Sequence, residues 1–192
     1  GQISRPGDIK YKDLNHDGVI DSNDQAPIGY NPVPEMTFSL AAGLNWKGID
    51  FSILLQGAAR SSIYLQQDIA WDNFWGNYYE EHIGRWTPET AATATYPRFT
   101  KAATPEHPNY YKSDYWLKDS KYLRLKNIQL GYTIPRKLLK KFGVRSLRVY
   151  ANAYNLFTWD NVKKVDPESS NNSNGQFYPQ QKVINFGINL NF

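Results

Sequence analysis

Twelve consecutive residues hold the oxygen donors for a hard cation: Asp13-Leu-Asn15-His-Asp17-Gly18-Val19-Ile20-Asp21-Ser-Asn-Asp24. Side-chain oxygens stand at the first, third, fifth, ninth and twelfth places, Gly18 allows the sharp turn at the sixth, and the Val19 carbonyl fills the seventh. This is the spacing of an EF-hand calcium loop, which wraps six to eight oxygens round one point. Asp13, Asn15, Asp17, Val19, Asp21 and Asp24 are the expected ligands of a structural Ca²⁺. Two features depart from the pattern. Asp24 replaces the usual Glu with a shorter arm, and the flank Gly7-Asp-Ile-Lys-Tyr-Lys12 reads as extended rather than helical. The competing reading is a metal-free turn in which Asx side chains bond their own backbone.

Aromatic residues form the second constellation: Trp71, Phe74, Trp75, Tyr78, Tyr79 and Trp86, then Tyr110, Tyr111, Tyr115 and Trp116. Flat rings stack on sugars, fill protein interfaces, and also pack a long loop against itself. Trp71, Trp75 and Tyr79 are the candidates for substrate contact. Catalytic chemistry finds little to use. His16, His82 and His107 are scattered through loop-like sequence, no metalloprotease, phosphate-loop or dinucleotide motif occurs, and Glu80-Glu81-His82 reads as a solvated face.

The elements that would position these loops are strands. Residues 36–46 alternate Met36, Phe38, Leu40, Ala42, Leu44 and Trp46 against smaller or polar residues, and after Lys47-Gly48 residues 49–56 do the same, which predicts a hairpin. Residues 121–134 carry Ile128, Leu130, Tyr132 and Ile134 on one parity but Leu123 and Leu125 on the other. Such a switch near Lys126 signals either a bulge or a strand half that has left the apolar layer. Pro135 ends that run, and residues 136–142 read as a short helix closed by Gly143. Residues 146–158 and 183–192 complete five strands. The last puts Ile184, Phe186, Ile188, Leu190 and Phe192 on one face. It is roughly 30 Å long, and tilted by about 45° it crosses about 22 Å, close to the apolar band of an outer-membrane barrel.

Short and long connections alternate along the chain. The first and third are a tight turn and about a dozen residues, whereas the second and fourth run to roughly sixty and roughly twenty-five, far above ordinary loop lengths. Outer-membrane barrels have this asymmetry, with short periplasmic turns and long extracellular loops. Five strands cannot close such a barrel, and open edges in lipid would leave backbone groups unpaired, so the expectation is a C-terminal piece of a longer chain. The start at Gly1 and the lack of a signal peptide agree with that. No apolar run is long enough for a transmembrane helix, and mean hydropathy is −0.63. The 192 residues contain no cysteine, which excludes disulfides and thiolate metal sites. A net charge of +4 from dispersed Lys and Arg argues against a nucleic-acid partner. The exception to the dispersal is Arg136, Lys137, Lys140 and Lys141, which fit a helix C-terminus facing water.

Several blocks together resemble the C-terminal portion of SusC/RagA-type TonB-dependent outer-membrane transporters. They are residues 7–18 with Ile28-Gly29, Arg85-Trp-Thr-Pro-Glu89, Pro97-Arg98, Ser113-Asp-Tyr-Trp-Leu-Lys-Asp119, residues 122–135, Leu147-Arg-Val-Tyr150 with Asn155-Leu-Phe-Thr158, and the last strand. The resemblance implies an all-β fold: about five C-terminal strands of a 22-stranded antiparallel transmembrane barrel, without its plug domain. Residues 1–35 would be an extracellular loop carrying the calcium-like motif, 36–57 a hairpin, 58–118 a long extracellular loop and 119–192 the last three strands. It further implies the outer membrane of a Gram-negative bacterium, a SusD-like surface lipoprotein as lid, the TonB complex acting through parts outside this chain, and oligosaccharides or peptides as cargo. Phe192 resembles the signal read by the barrel-assembly machinery. The sequon Asn171-Asn-Ser173 has no use in that membrane.

A secreted calcium-dependent β-sandwich that binds glycans would also account for residues 13–24 and the aromatics. It gives no reason for the alternating connection lengths. An enzyme built on Glu80 or Glu81 ranks below both.

Overall fold

The computed structural model describes residues 4–101, 104–163, 165–169, 178 and 180–192, so the sequon at Asn171 lies outside the described residues. Two compact units divide the chain. One comprises Asn31–Ser62, Asp119–Glu168 and Tyr178–Phe192, and the other Gly1–Tyr30, Ile63–Lys118 and Ser169–Phe177.

The first unit is an antiparallel sheet of five long strands. Strands β1 (Met36–Trp46) and β2 (Ile49–Ala59) form the hairpin expected from their alternation, turning through Lys47 and Gly48, both at positive φ. Two three-residue strands, β3 (Ser62–Tyr64) and β4 (Leu117–Asp119), pair separately. The remaining long strands are β5 (Tyr122–Thr133), β6 (Ser146–Asp160) and β7 (Val183–Asn191), giving the order β1-β2-β5-β6-β7. β2 runs on to Ala59 because β1 offers it ladder partners as far as Met36, and β6 reaches Asp160 opposite Tyr122. Between β5 and β6, helix α1 (Arg136–Leu139) tightens into a 3₁₀ turn over Lys140–Phe142 and ends at Gly143 with φ 69°.

The parity switch in β5 is a bulge. Leu54 pairs with Asn127 and Leu55 with Leu125, leaving Lys126 as the extra residue. β6 compensates on the other side, where Asn155, at φ 50°, and Leu156 stand between the pairs Asn127–Tyr154 and Leu125–Phe157. The two adjustments return Leu123 and Leu125 to the face that carries Ile128, Leu130 and Tyr132. Cross-strand partners share a face, so the apolar side runs unbroken from Leu40 through Leu55, Leu125 and Phe157, and from Leu44 through Phe51, Leu130, Ala151 and Phe186.

Much of that apolar face is bare, with Leu125 and Ala153 in its middle strands the buried exceptions. Leu40 is 61% exposed, Leu44 62%, Ile188 69% and Phe186 83%, values that belong to no ordinary core. The opposite face is polar. Arg148 of β6 reaches across β5 to Asp50 of β2, with Nε 2.9 Å from Oδ1. The pair passes directly over Gly131, where a Cβ would lie 2.5 Å from the Arg148 Nη2 and from Asp50 Oδ1. Arg148 also lies 4.8 Å above the Tyr150 ring, which itself covers Gly187.

Gly131→Val should therefore lower sheet stability by about 1–3 kcal/mol through overpacking and displacement of the ion pair. Gly43→Ala, whose Cβ would meet only the Phe51 carbonyl at 3.5 Å, should be close to neutral. Urea unfolding of both variants followed by tryptophan fluorescence checks the contrast, and equal midpoints would contradict it.

Candidate functional site

The loop at residues 13–24 is closed by its own carboxylates. Asp13 accepts the His16 amide through Oδ1 (2.6 Å) and the Gly18 amide through Oδ2 (2.9 Å). Asn15 accepts from the Asp17 amide, Asp17 from Val19, and Asp21 from Asn23. Asp24 ties the ends together, taking the Leu14 amide on Oδ1 (2.7 Å) and the Asp21 amide on Oδ2 (2.8 Å). Those amides hold its carboxyl below the usual carboxylate range. His16 and Gly18 adopt φ values of 63° and 84°, so the turn is as sharp as the sequence requires. Among the described residues, no three His, Asp or Glu side chains gather closely enough to form a ready metal cluster.

The aromatic residues of 63–118 divide into a core and a rim. Trp71 is 3% exposed, with Tyr110 at 4.7 Å on one side and Phe74 edge-on at 5.8 Å. A ligand could reach it only by displacing those rings. Trp75 is 84% exposed and Tyr79 38% exposed, the latter anchored by its hydroxyl on the Asp68 carbonyl. Asn73 and Trp75 both take left-handed φ, at 54° and 52°, a conformation that Asn tolerates but that is costly for a residue as bulky as Trp. His82 is not available for acid–base work. It is buried, with Nδ1 accepting the Tyr79 amide (3.0 Å) and Nε2 3.2 Å from the Ala70 carbonyl.

Within this unit lies a buried carboxylate that no local motif marks. Asp72 is fully buried, and its oxygens accept the Tyr110 hydroxyl and the Thr100 amide, the latter at 2.9 Å. Its own amide donates to Tyr96, whose hydroxyl bonds the Ala70 carbonyl at 2.9 Å. Burial, reinforced by the Asp72 charge, pushes both phenols far above the ordinary tyrosine range. Asn109, equally buried, accepts the Ile9 amide through Oδ1 (2.9 Å) and the Trp116 indole through its carbonyl (2.8 Å). Asp8 and Arg98 meet at 2.7 Å, and Gly7, at φ 88°, makes room for the Trp86 ring. These are residues of a self-packed loop domain.

The polar sheet face holds a second unforeseen cluster. Arg124 is 1% exposed. Its Nη2 grips both oxygens of Asp166 (2.8 and 2.9 Å), its Nη1 bonds Glu168 (3.2 Å), and its Nε bonds Thr158 (3.0 Å). Lys126, the bulge residue, approaches Glu168 at 3.6 Å. The position of Arg124 between Leu123 and Leu125 places it on the polar face by parity, but nothing in the spacing of Asp166 and Glu168 points back to it.

No family model matches the chain. TonB-dependent receptor P26 of Formosa agariphila is 30% identical over 205 residues, covering 97% of this chain and 20% of that protein. TonB-dependent receptor SusC of Bacteroides thetaiotaomicron is 26% identical over 190 residues, covering 98% of this chain and 18% of its own length. The chain belongs to the SusC-like TonB-dependent receptors. This receptor segment spans about a fifth of the length of those relatives. It shares its fold with the RagAB peptide transporter, at a TM-score of 0.70 and 22% identity over 90% of this chain and 19% of that one. The open-open state of the RagAB importer gives 0.68 at 23% identity. These relatives are receptors and transporters rather than enzymes, in keeping with the engaged His82.

Asp72→Leu should loosen the packed loop of this receptor segment by about 1–3 kcal/mol, since the buried Tyr110 hydroxyl and the half-buried Thr100 amide lose their acceptor. Asp72→Asn should cost less, because Tyr110 can donate to Thr100 Oγ1, 2.9 Å away, and accept from the new amide. Limited proteolysis between residues 63 and 118 should rank the variants in that order, and a leucine variant as resistant as wild type would refute the role.

Proposed function

We propose that this chain forms the last strands of a 22-stranded outer-membrane barrel, part of a TonB-dependent importer in a Gram-negative bacterium. The observation that carries this reading is a sheet with one continuous, uncovered apolar face and one polar face, whose long connections leave from the same end of the strands. Lipid satisfies the apolar face, and a water-filled or plugged lumen satisfies the polar one. A secreted sandwich would have to bury the apolar face against a second sheet. The importer works with a SusD-like lipoprotein and is driven by the TonB complex through parts outside this chain. Its cargo is oligosaccharides or peptides, the latter supported by the fold shared with a peptide importer. Of the three candidates Trp71, Trp75 and Tyr79, the two accessible ones, Trp75 and Tyr79, are the proposed cargo contacts. Trp75→Ala in the full-length receptor should reduce cargo uptake several-fold at unchanged surface level. Full uptake would remove Trp75 from the site. Were residues 1–192 alone a monodisperse monomer in plain buffer with a cooperative melt, the barrel reading itself would fail.

Residues 13–24 are proposed to hold a structural Ca²⁺. The donor set fits a hard cation: Asp13, Asn15, Asp17, Asp21 and Asp24 supply side-chain oxygens and Val19 a carbonyl. The amide bonds occupy only part of the lone pairs of each carboxylate. The ion would brace the loop by linking these donors directly to one another. Calorimetry of the full-length receptor should show binding at about 10⁻⁴ to 10⁻³ M, abolished by Asp13→Ala with Asp24→Ala. Absence of heat at millimolar calcium would overturn the assignment.

A further inference from the structure

The connection between β5 and β6 carries five cations and no carboxylate: Arg136, Lys137, Lys140, Lys141 and Arg145 lie between Ile134 and Ser146. Among the described residues none of the five enters an ion pair. Two large apolar side chains stand among them uncovered, Leu138 at 65% exposure and Phe142 at 75%. The helical segment is amphipathic. At roughly 100° per residue in α1, Leu138 and Leu139 stand side by side with Arg136 and Lys137 on the other side, and the tighter 3₁₀ turn brings Phe142 round onto the side of Leu139. Leu139 is buried and fixes the rotation of the helix, so Leu138 and Phe142 form the exposed flank beside it.

Neighbouring residues extend the same chemistry. The β1–β2 turn is bonded to the end of β5 through the Thr133 amide and the Gly48 carbonyl (2.7 Å), which sets Lys47 close to the start of the connection. Its ammonium lies 4.9 Å above the Trp46 ring, and Trp46 is 59% exposed at the end of the apolar face. Cations, an aromatic belt residue and two unpaired apolar side chains thus occur together where the uncovered face of the sheet ends.

We propose that this turn is a membrane-surface anchor, in which Leu138 and Phe142 enter the acyl boundary of the periplasmic leaflet and the surrounding cations bind anionic phospholipid headgroups. The proposal rests on the barrel reading, which makes the end with short connections periplasmic. A lipid surface is favoured over a soluble partner because the exposed pair continues the apolar face and because the unpaired cations complement phosphate. A basic amphipathic helix with Leu and Phe on its apolar side lies in an interface, and each Lys or Arg near an anionic surface adds to its attraction.

Depth-dependent quenching in the full-length receptor provides the test. Phe142→Cys and, separately, Phe186→Cys are labelled with an environment-sensitive fluorophore. Each is reconstituted in phosphatidylcholine vesicles with or without phosphatidylglycerol, with nitroxide lipids as membrane quenchers and iodide as the aqueous one. The label at 142 should be quenched by a shallow nitroxide. That quenching should fall at least about two-fold on omitting phosphatidylglycerol, on adding salt, or on changing Arg136, Lys137, Lys140 and Lys141 to Gln. Quenching at 142 by iodide alone would overturn the anchor, as would nitroxide quenching indifferent to phosphatidylglycerol, or shielding that needs an added periplasmic extract. The label at 186, in the middle of the uncovered face, reports the barrel reading separately. It should be quenched by a deep nitroxide in every vesicle, and if it is not, the barrel reading fails rather than the anchor alone.

Discussion

A sheet that offers a different environment to each face tolerates no slip in register, because a shift of one residue turns every side chain of a strand to the wrong side. The five long strands of this receptor segment obey that constraint over their whole length. Where β5 breaks the period at Lys126, β6 breaks it too at Asn155 and Leu156, and the left-handed turn at Asn155 absorbs the mismatch. The bulge is thus a correction shared by two strands. Without it Leu123 and Leu125 would point with Asn127 and Gln129 to the polar side, Arg124 would turn toward the apolar one, and the apolar band would stop short of the long connections.

The polar face is organised by ion pairs that span strands. Asp50 and Arg148 join β2 to β6 across Gly131, and Arg124 binds the stretch at Asp166 and Glu168 back to the sheet. Guanidinium groups suit both tasks, since a planar fork satisfies several oxygens at once. The other unit meets the same problem of buried polarity differently. Its central carboxylate, Asp72, is satisfied without any cation, by a phenol and an amide, and rings rather than strands surround it.

Strand positions, the tight turn at Lys47-Gly48 and the helix stop at Gly143 were legible because alternation and turn chemistry are local. The bulge was half legible: the parity switch marked its place, but only pairing with both neighbours separates a bulge from a strand half that leaves the layer. Trp71 and Trp75 stand four residues apart in one aromatic run, yet one is core and the other rim, because long-range partners such as Tyr110 decide between them. Asp72, Arg124 and the Asp50–Arg148 pair were invisible for the same reason, since each depends on residues tens of positions away. The loop at 13–24 was legible in its turns, and its carboxylates bond amides in the order the spacing implies.

The ion pair over Gly131 limits how this sheet can change over time. Residues 50, 131 and 148 lie on three strands and occupy a single volume, filled by a carboxylate and a guanidinium only because the middle position has no side chain. Drift at one of them is permissible only in step with the other two. The trio can therefore change only as a unit, and variation on the polar face must enter through the freer positions around it.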